Sequence, residues 1–121
     1  MTISEFQKEV NDWISNHGVR YFDPMTNMVL LMEETGELSR LMARMYGEQS
    51  FKEEPLPSDV MIMISDEMAD IIFVLTCLAN QTNIDLTSAL ESNLRKKTMR
   101  DSQRHHDNRK LSNSDYGLSE E

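Results

Sequence analysis

Apolar residues recur every three or four positions along most of the first hundred residues, and that spacing predicts four helices. Ile3, Phe6, Val10, Trp13 and Ile14 define a first helix from Thr2 to about Asn16, with Thr2 or Ser4 available as its cap. Gly18 interrupts the pattern, and Asp23 followed by Pro24 is an N-cap and first-turn signature for a second helix. That helix should run to Tyr46 and stop at Gly47. Residues 47–58, GEQSFKEEPLPS, contain two prolines and no sustained periodicity, so they read as a loop. Ser58 and Asp59 are expected to cap a third helix through Asn80 or Gln81, and Asp85 or Thr87 to start a fourth that ends near Arg100. No internal repeat and no strand-like run competes with this all-α reading. It places one helical domain in residues 1–100 and a polar, aperiodic, mobile tail in 101–121.

The two central helices are apolar around most of their circumference, which implies burial on more than one side. A four-helix domain of this size has little interior, so a homodimer or homotetramer that buries helix faces between chains is the expected solution. Ten methionines suit irregular packing of that kind, and core filling accounts for them without a ligand. Cys77, in FVLTCLA, reads as a small buried apolar residue. Trp13, on the apolar stripe of the first helix, is likewise expected in the core.

Charge narrows the classes of function. The formal net charge is −9, so a sequence-independent grip on a nucleic acid polymer would run against the field of the protein. A phosphate ligand would need a local device, either clustered cations or a metal ion. No apolar run reaches the roughly 20 residues of a membrane span, and MTISEFQKEV lacks the order of a signal peptide, so a cytoplasmic protein without membrane partners is expected.

Acidic residues break the apolar stripe at two places. On the second helix Glu34 lies four residues after Leu30 and four before Leu38, with Glu37 beside it. On the third helix Glu67 and Asp70 share a face with Met63 and Val74. Each helix therefore directs a pair of carboxylates, three residues apart, toward the interior. Buried ionised carboxylates need compensation. The nearby cations, Arg40 and Arg44, are too few and lie off the stripe, so a divalent cation is the better answer; hard oxygen ligands favour Mg²⁺, with Mn²⁺ as a substitute. From Glu37 to Gly47 is roughly 15 Å of helix and from Ser58 to Glu67 roughly 14 Å, so an antiparallel pair would bring the acids to one level. Gly36 and Ala69 beside them are small enough for close approach. A di-iron bundle would require Glu-x-x-His on its helices, whereas His17, His105 and His106 all lie outside the central ones.

Glu33-Glu34-Thr35-Gly36-Glu37 followed by Glu67-Met68-Ala69-Asp70 resembles the EExxE and ExxD motifs of the MazG-like nucleotide pyrophosphohydrolases, of the all-α NTP pyrophosphatase superfamily. The resemblance covers about residues 5–100. The segment between the motifs is long for that family, the extra length falling in loop 47–58. The resemblance implies a MazG-like four-helix bundle completed by oligomerisation. It also implies Mg²⁺-dependent cleavage of a nucleoside triphosphate between its α and β phosphates, in nucleotide-pool house-cleaning. By position, Glu34, Glu37, Glu67 and Asp70 look like the metal ligands, and Glu33 either holds a second ion or orients the attacking water. A similar Asn and Lys/Arg stretch contacts the nucleotide in the family, which makes Asn93, Lys96, Lys97 and Arg100 the candidate substrate contacts. Helical spacing puts these four on one face. Trp13, Tyr21, Phe22, Tyr46 and Phe51 are the residues able to stack on a base. Two alternatives stay open: a phosphoribosyl-ATP pyrophosphohydrolase on a related helical fold, and a non-catalytic module whose acids bind a basic partner.

Overall fold

Helix α1 (Ile3–His17) starts where the chain satisfies two of its own free amides: Thr2 Oγ1 accepts from Glu5 N at 3.0 Å, and Glu5 Oε2 accepts from Thr2 N at 3.0 Å. Helix α2 (Pro24–Tyr46) starts on Asp23, whose Oδ1 accepts from Met25 N at 2.9 Å, with Pro24 in the first turn as anticipated. It stops at Gly47, whose N–H closes on the Ala43 carbonyl at 2.9 Å. A Cβ at position 47 would lie 2.5 Å from that oxygen, so the stop requires glycine. Helix α3 (Pro57–Gln81) corrects the expected cap: its N-cap is Leu56, with no side-chain cap bond. Pro57, with its fixed φ, begins the helix, and Ser58 and Asp59 fall inside the first turn, where an acidic side chain complements the helix dipole.

The computed structural model describes residues 1–112, and among the described residues there is no strand. One compact unit spans Met1–Leu86. Within it α2 packs along α3, and α1 packs against α3. The pair α2/α3 is antiparallel: Asn27 near the start of α2 donates to Gln81 at the end of α3 at 2.8 Å, and Tyr46 at the end of α2 donates to Met61 Sδ near the start of α3 at 3.4 Å. Leu41, Val60 and Ile64 form the core of this seam, with Leu38, Met45 and Phe51 packed against them. Val10 from α1, and Cys77 and Ala79 from α3, are also buried. Burial pushes the Cys77 thiol above its ordinary pKa, in keeping with an inert apolar residue.

A polar latch holds the crossing of α1 over the end of α3. Gln7 Nε2 donates to Asn80 Oδ1 at 3.1 Å and to the Ile84 carbonyl at 2.9 Å, while Gln7 Oε1 accepts from Leu86 N at 3.0 Å. Asn80 Nδ2 donates to the Tyr21 hydroxyl at 3.0 Å, which itself donates to Asn11 Oδ1 at 2.9 Å. Segment 18–23 is thereby tied to both helices.

The remaining compact unit begins at Thr87. Helix α4 (Leu86–His106) continues six residues beyond the expected end at Arg100, and a short α5 (Arg109–Ser112) follows. Polar residues sustain this extension without an apolar stripe: Arg100 and Arg104 both pair with Asp101, and Gln103 donates to Asp107 four residues on at 2.9 Å. His105 and His106 thus stand exposed in the last turn of α4. The rest of the tail, 113–121, lies outside the described residues. No helix among the described residues is long and apolar enough to cross a membrane.

Candidate active site

The antiparallel pairing brings the two acidic pairs to one level. One carboxylate oxygen from each of Glu34, Glu67 and Asp70 lies within 4.8 Å of the others. Glu34 and Glu67 are half-buried and Asp70 is exposed. Glu37, exposed on α2, is near enough for its charge to act on Glu67, whereas Glu33 is exposed and outside the three-residue cluster. No ion pair among the described residues involves these carboxylates. Arg44 instead donates to the Arg40 carbonyl and to Gln49.

Glu67 bears the cost of this arrangement. Its Oε2 is buried and, with the carboxylates ionised, has no hydrogen-bond partner. Its pKa is pushed up to about 7, first by the hydrogen bond that its protonated form shares with Glu34, then by burial and by the negative charges of Glu34, Glu37 and Asp70. An orphaned carboxylate oxygen facing two further carboxylates, with no cation to neutralise them, is a donor set matched to a hard divalent ion. The residues present therefore fit the metal that the motif implies.

Beside the cluster, within the same unit, lies a cavity of ≈ 560 Å³. Leu30, one turn before Glu34 on α2, and Val74, one turn after Asp70 on α3, form part of its wall. Trp13 and Phe73 form another part, their rings edge to face at 5.6 Å. Trp13 is 50% exposed, which corrects the expectation that it belongs to the core. The indole sits near the C-terminal end of α1, just before the helix stops at Gly18. Of the other aromatic candidates, Tyr21 and Phe22 line the cavity, while Phe51 packs on the apolar seam and Tyr46 bonds Met61. Asn27, 3% exposed, is the buried polar residue of the lining. The sequence reading overlooked it, although a polar residue seven before Glu34 on the same apolar face is the same kind of signal as Glu34 itself.

Asn93, Lys96, Lys97 and Arg100 are exposed on α4, in the second unit. Arg100 is bonded to Asp101 at 3.1 and 3.2 Å. Asp101 is held below its usual pKa chiefly by that bond, with Arg104 and Lys97 adding their charge. Much of the basic face thus surrounds one carboxylate of its own helix.

Comparison with known proteins identifies the family. The model of the MazG nucleotide pyrophosphohydrolase domain matches residues 22–105, a span that contains both acidic motifs. YpjD of Bacillus subtilis strain 168 is 37% identical over 103 residues, covering 85% of this chain and 89% of its own length. The crystal structure of the Bacillus-conserved MazG protein, a nucleotide pyrophosphohydrolase, superposes with a TM-score of 0.68 at 35% identity, covering 85% of this chain and 96% of that one. The structure of B. subtilis YpjD superposes with a TM-score of 0.70 at 35% identity, over 84% of this chain and 97% of that one. With the acidic pairs on consecutive antiparallel helices and an all-α fold shared with these structures, the chain belongs to the MazG nucleotide pyrophosphohydrolase family.

Proposed function

We propose that this pyrophosphohydrolase cleaves (d)NTPs between the α and β phosphates, releasing a (d)NMP and pyrophosphate, with Mg²⁺ or Mn²⁺ held by Glu34, Glu37, Glu67 and Asp70. The observation that carries the proposal is the orphaned, buried Oε2 of Glu67 inside the carboxylate cluster. When bound, the cation neutralises the carboxylates and the charge of the polyphosphate, which is most of what phosphoryl transfer requires. The reaction joins a water oxygen to the α phosphorus and breaks the bond from that phosphorus to the oxygen bridging to the β phosphate. Glu33, exposed next to Glu34, is available to orient the water or to hold a second ion. The cavity bounded by Leu30 and Val74 accepts the nucleoside, one helical turn from the acids, and its aromatic wall suits a base. Asn93, Lys96, Lys97 and Arg100 serve sugar or phosphate contacts.

The working form is a homodimer or homotetramer. Met25, Met28, Val29 and Met32 on α2, with Met68, Ile72 and Leu75 on α3, are large apolar residues exposed in the single chain, and a second copy would cover them. The physiological role follows as removal of surplus or non-standard (d)NTPs in the cytoplasm. The test is release of pyrophosphate and monophosphate from a panel of standard and modified (d)NTPs with Mg²⁺, alongside Glu34→Gln and Glu67→Gln. Turnover abolished in both folded variants supports the reading. A folded wild type that turns over no member of the panel rejects it.

A further inference from the structure

We propose that Asn27 reads the nucleobase, its Oδ1 accepting a hydrogen bond from an N–H on the base edge remote from the sugar. The proposal rests on the reading above, in which the cavity beside the acids holds the nucleoside.

The orientation of the Asn27 amide is set by a chain of bonds that begins at a group able only to accept. The Phe22 carbonyl takes a hydrogen bond from Gln81 Nε2, so Gln81 must turn its Oε1 the other way. That oxygen accepts from Asn27 Nδ2 at 2.8 Å, and Nδ2 also approaches the Phe22 carbonyl at 3.5 Å. The donor side of Asn27 is therefore committed to the protein. Its Oδ1 has no donor among the described residues, although the side chain is 3% exposed and lines the cavity.

Oδ1 keeps contact with solvent, and a base that seals it from water while supplying a donor gains selectively over a base that cannot. Asn27 precedes Glu34 by seven residues, about 10 Å along α2, which is comparable to the length of a nucleoside whose phosphates rest at the acids. Leu30 lies between them on the cavity wall, where the sugar would pass. Trp13 and Phe73 are indifferent to the identity of a stacked ring; Asn27 supplies the directional contact that stacking lacks.

The experiment compares kcat/KM for nucleotides with and without the N–H: dUTP against N3-methyl-dUTP, dCTP against N4,N4-dimethyl-dCTP, and dATP against N6,N6-dimethyl-dATP. The wild type should favour the N–H form of its preferred base by about tenfold or more. In Asn27→Leu that ratio should collapse toward one; Asn27→Ala supplies the same comparison if circular dichroism shows the Leu variant unfolded. A wild-type ratio near one for every pair overturns the proposal without recourse to a variant, as does a ratio that survives in the variants. Those results leave the hydrolase reading standing, whereas absence of turnover on all unmodified nucleotides removes both.

Discussion

Two stretches of the same α2–α3 seam, one or two turns apart, have opposite chemistry. Around Leu41, Val60 and Ile64 the helices meet through apolar side chains that bury almost completely. Around Glu34, Glu67 and Asp70 they meet through carboxylates that repel one another and leave Glu67 Oε2 without a partner. The first stretch holds the helices in register; the second opposes their approach and relies on the first to keep the acids together. Helix pairing and site formation are therefore one event, with stability supplied by the apolar end and spent at the acidic end.

The sharpest break in this comparison is at Glu67. Exchanging its carboxylate for an amide in Glu67→Gln should lower turnover by on the order of 10²-fold or more, since a bound cation is worth several kcal/mol to the transition state. Calorimetric titration with Mn²⁺ should lose most of its heat in the same variant. An unchanged isotherm would argue against the carboxylate cluster as the metal site.

Next in size is Leu41→Ala, which attacks the opposite end. Deleting a side chain that is 4% exposed should cost about 2–5 kcal/mol in urea unfolding. At low denaturant the folded variant should still bind Mn²⁺ with the wild-type stoichiometry. A loss well under 1 kcal/mol would mean that the seam does not rest on this cluster.

A pH scan separates the two stretches without mutation. Glu67 has a folded-state pKa raised from 4.5 to about 7, so the stabilisation associated with its protonated form is complete below about 4.5 and lost as pH rises through 7. In EDTA the melting temperature should accordingly fall between pH 5 and pH 8, and Glu67→Gln should flatten that slope. Added Mn²⁺ should raise the melting temperature more at pH 8 than at pH 5, because binding requires the ionised form. A metal-free protein more stable at pH 8 than at pH 5 would contradict the assignment.

The smallest effect belongs to Gly36, between the acids of α2. Its backbone is not in the positive-φ region, and a Cβ there would meet nothing within 4 Å, so the single chain does not require glycine at this position. Gly36→Ala should stabilise the helix by about 1 kcal/mol. If activity nevertheless drops, the open space serves the substrate or a second copy of the chain.

Much of this architecture was legible before any coordinates. Asp23-Pro24 and Gly47 mark the ends of α2 because capping and steric stops are local, and the helix starts and stops at them. Glu34 and Glu67 were recognisable as turned toward the seam because a carboxylate in an apolar stripe violates a period that the rest of the helix obeys; Glu37 and Asp70, expected inward with them, are exposed. Other features escaped for equally physical reasons. Pro57 outweighed Ser58 and Asp59 at the start of α3, a competition between a fixed dihedral and a side-chain cap that composition alone does not rank. Helix α4 outran its expected end because polar side chains paired along it where no apolar period was present to be read.

By itself, then, the sequence determined the helices of the first unit, the antiparallel logic of α2 and α3, and the meeting of acids from the two helices at one level, since these follow from periodicity, rise per residue and the cost of a buried charge. Tertiary structure decided which member of the acidic set buried a carboxylate oxygen, that Trp13 stands half in solvent beside a cavity, and that Gln81 takes up the amide nitrogen of Asn27. Those outcomes depend on what packs across from each side chain, and a neighbour from a distant part of the chain leaves no mark in the local period.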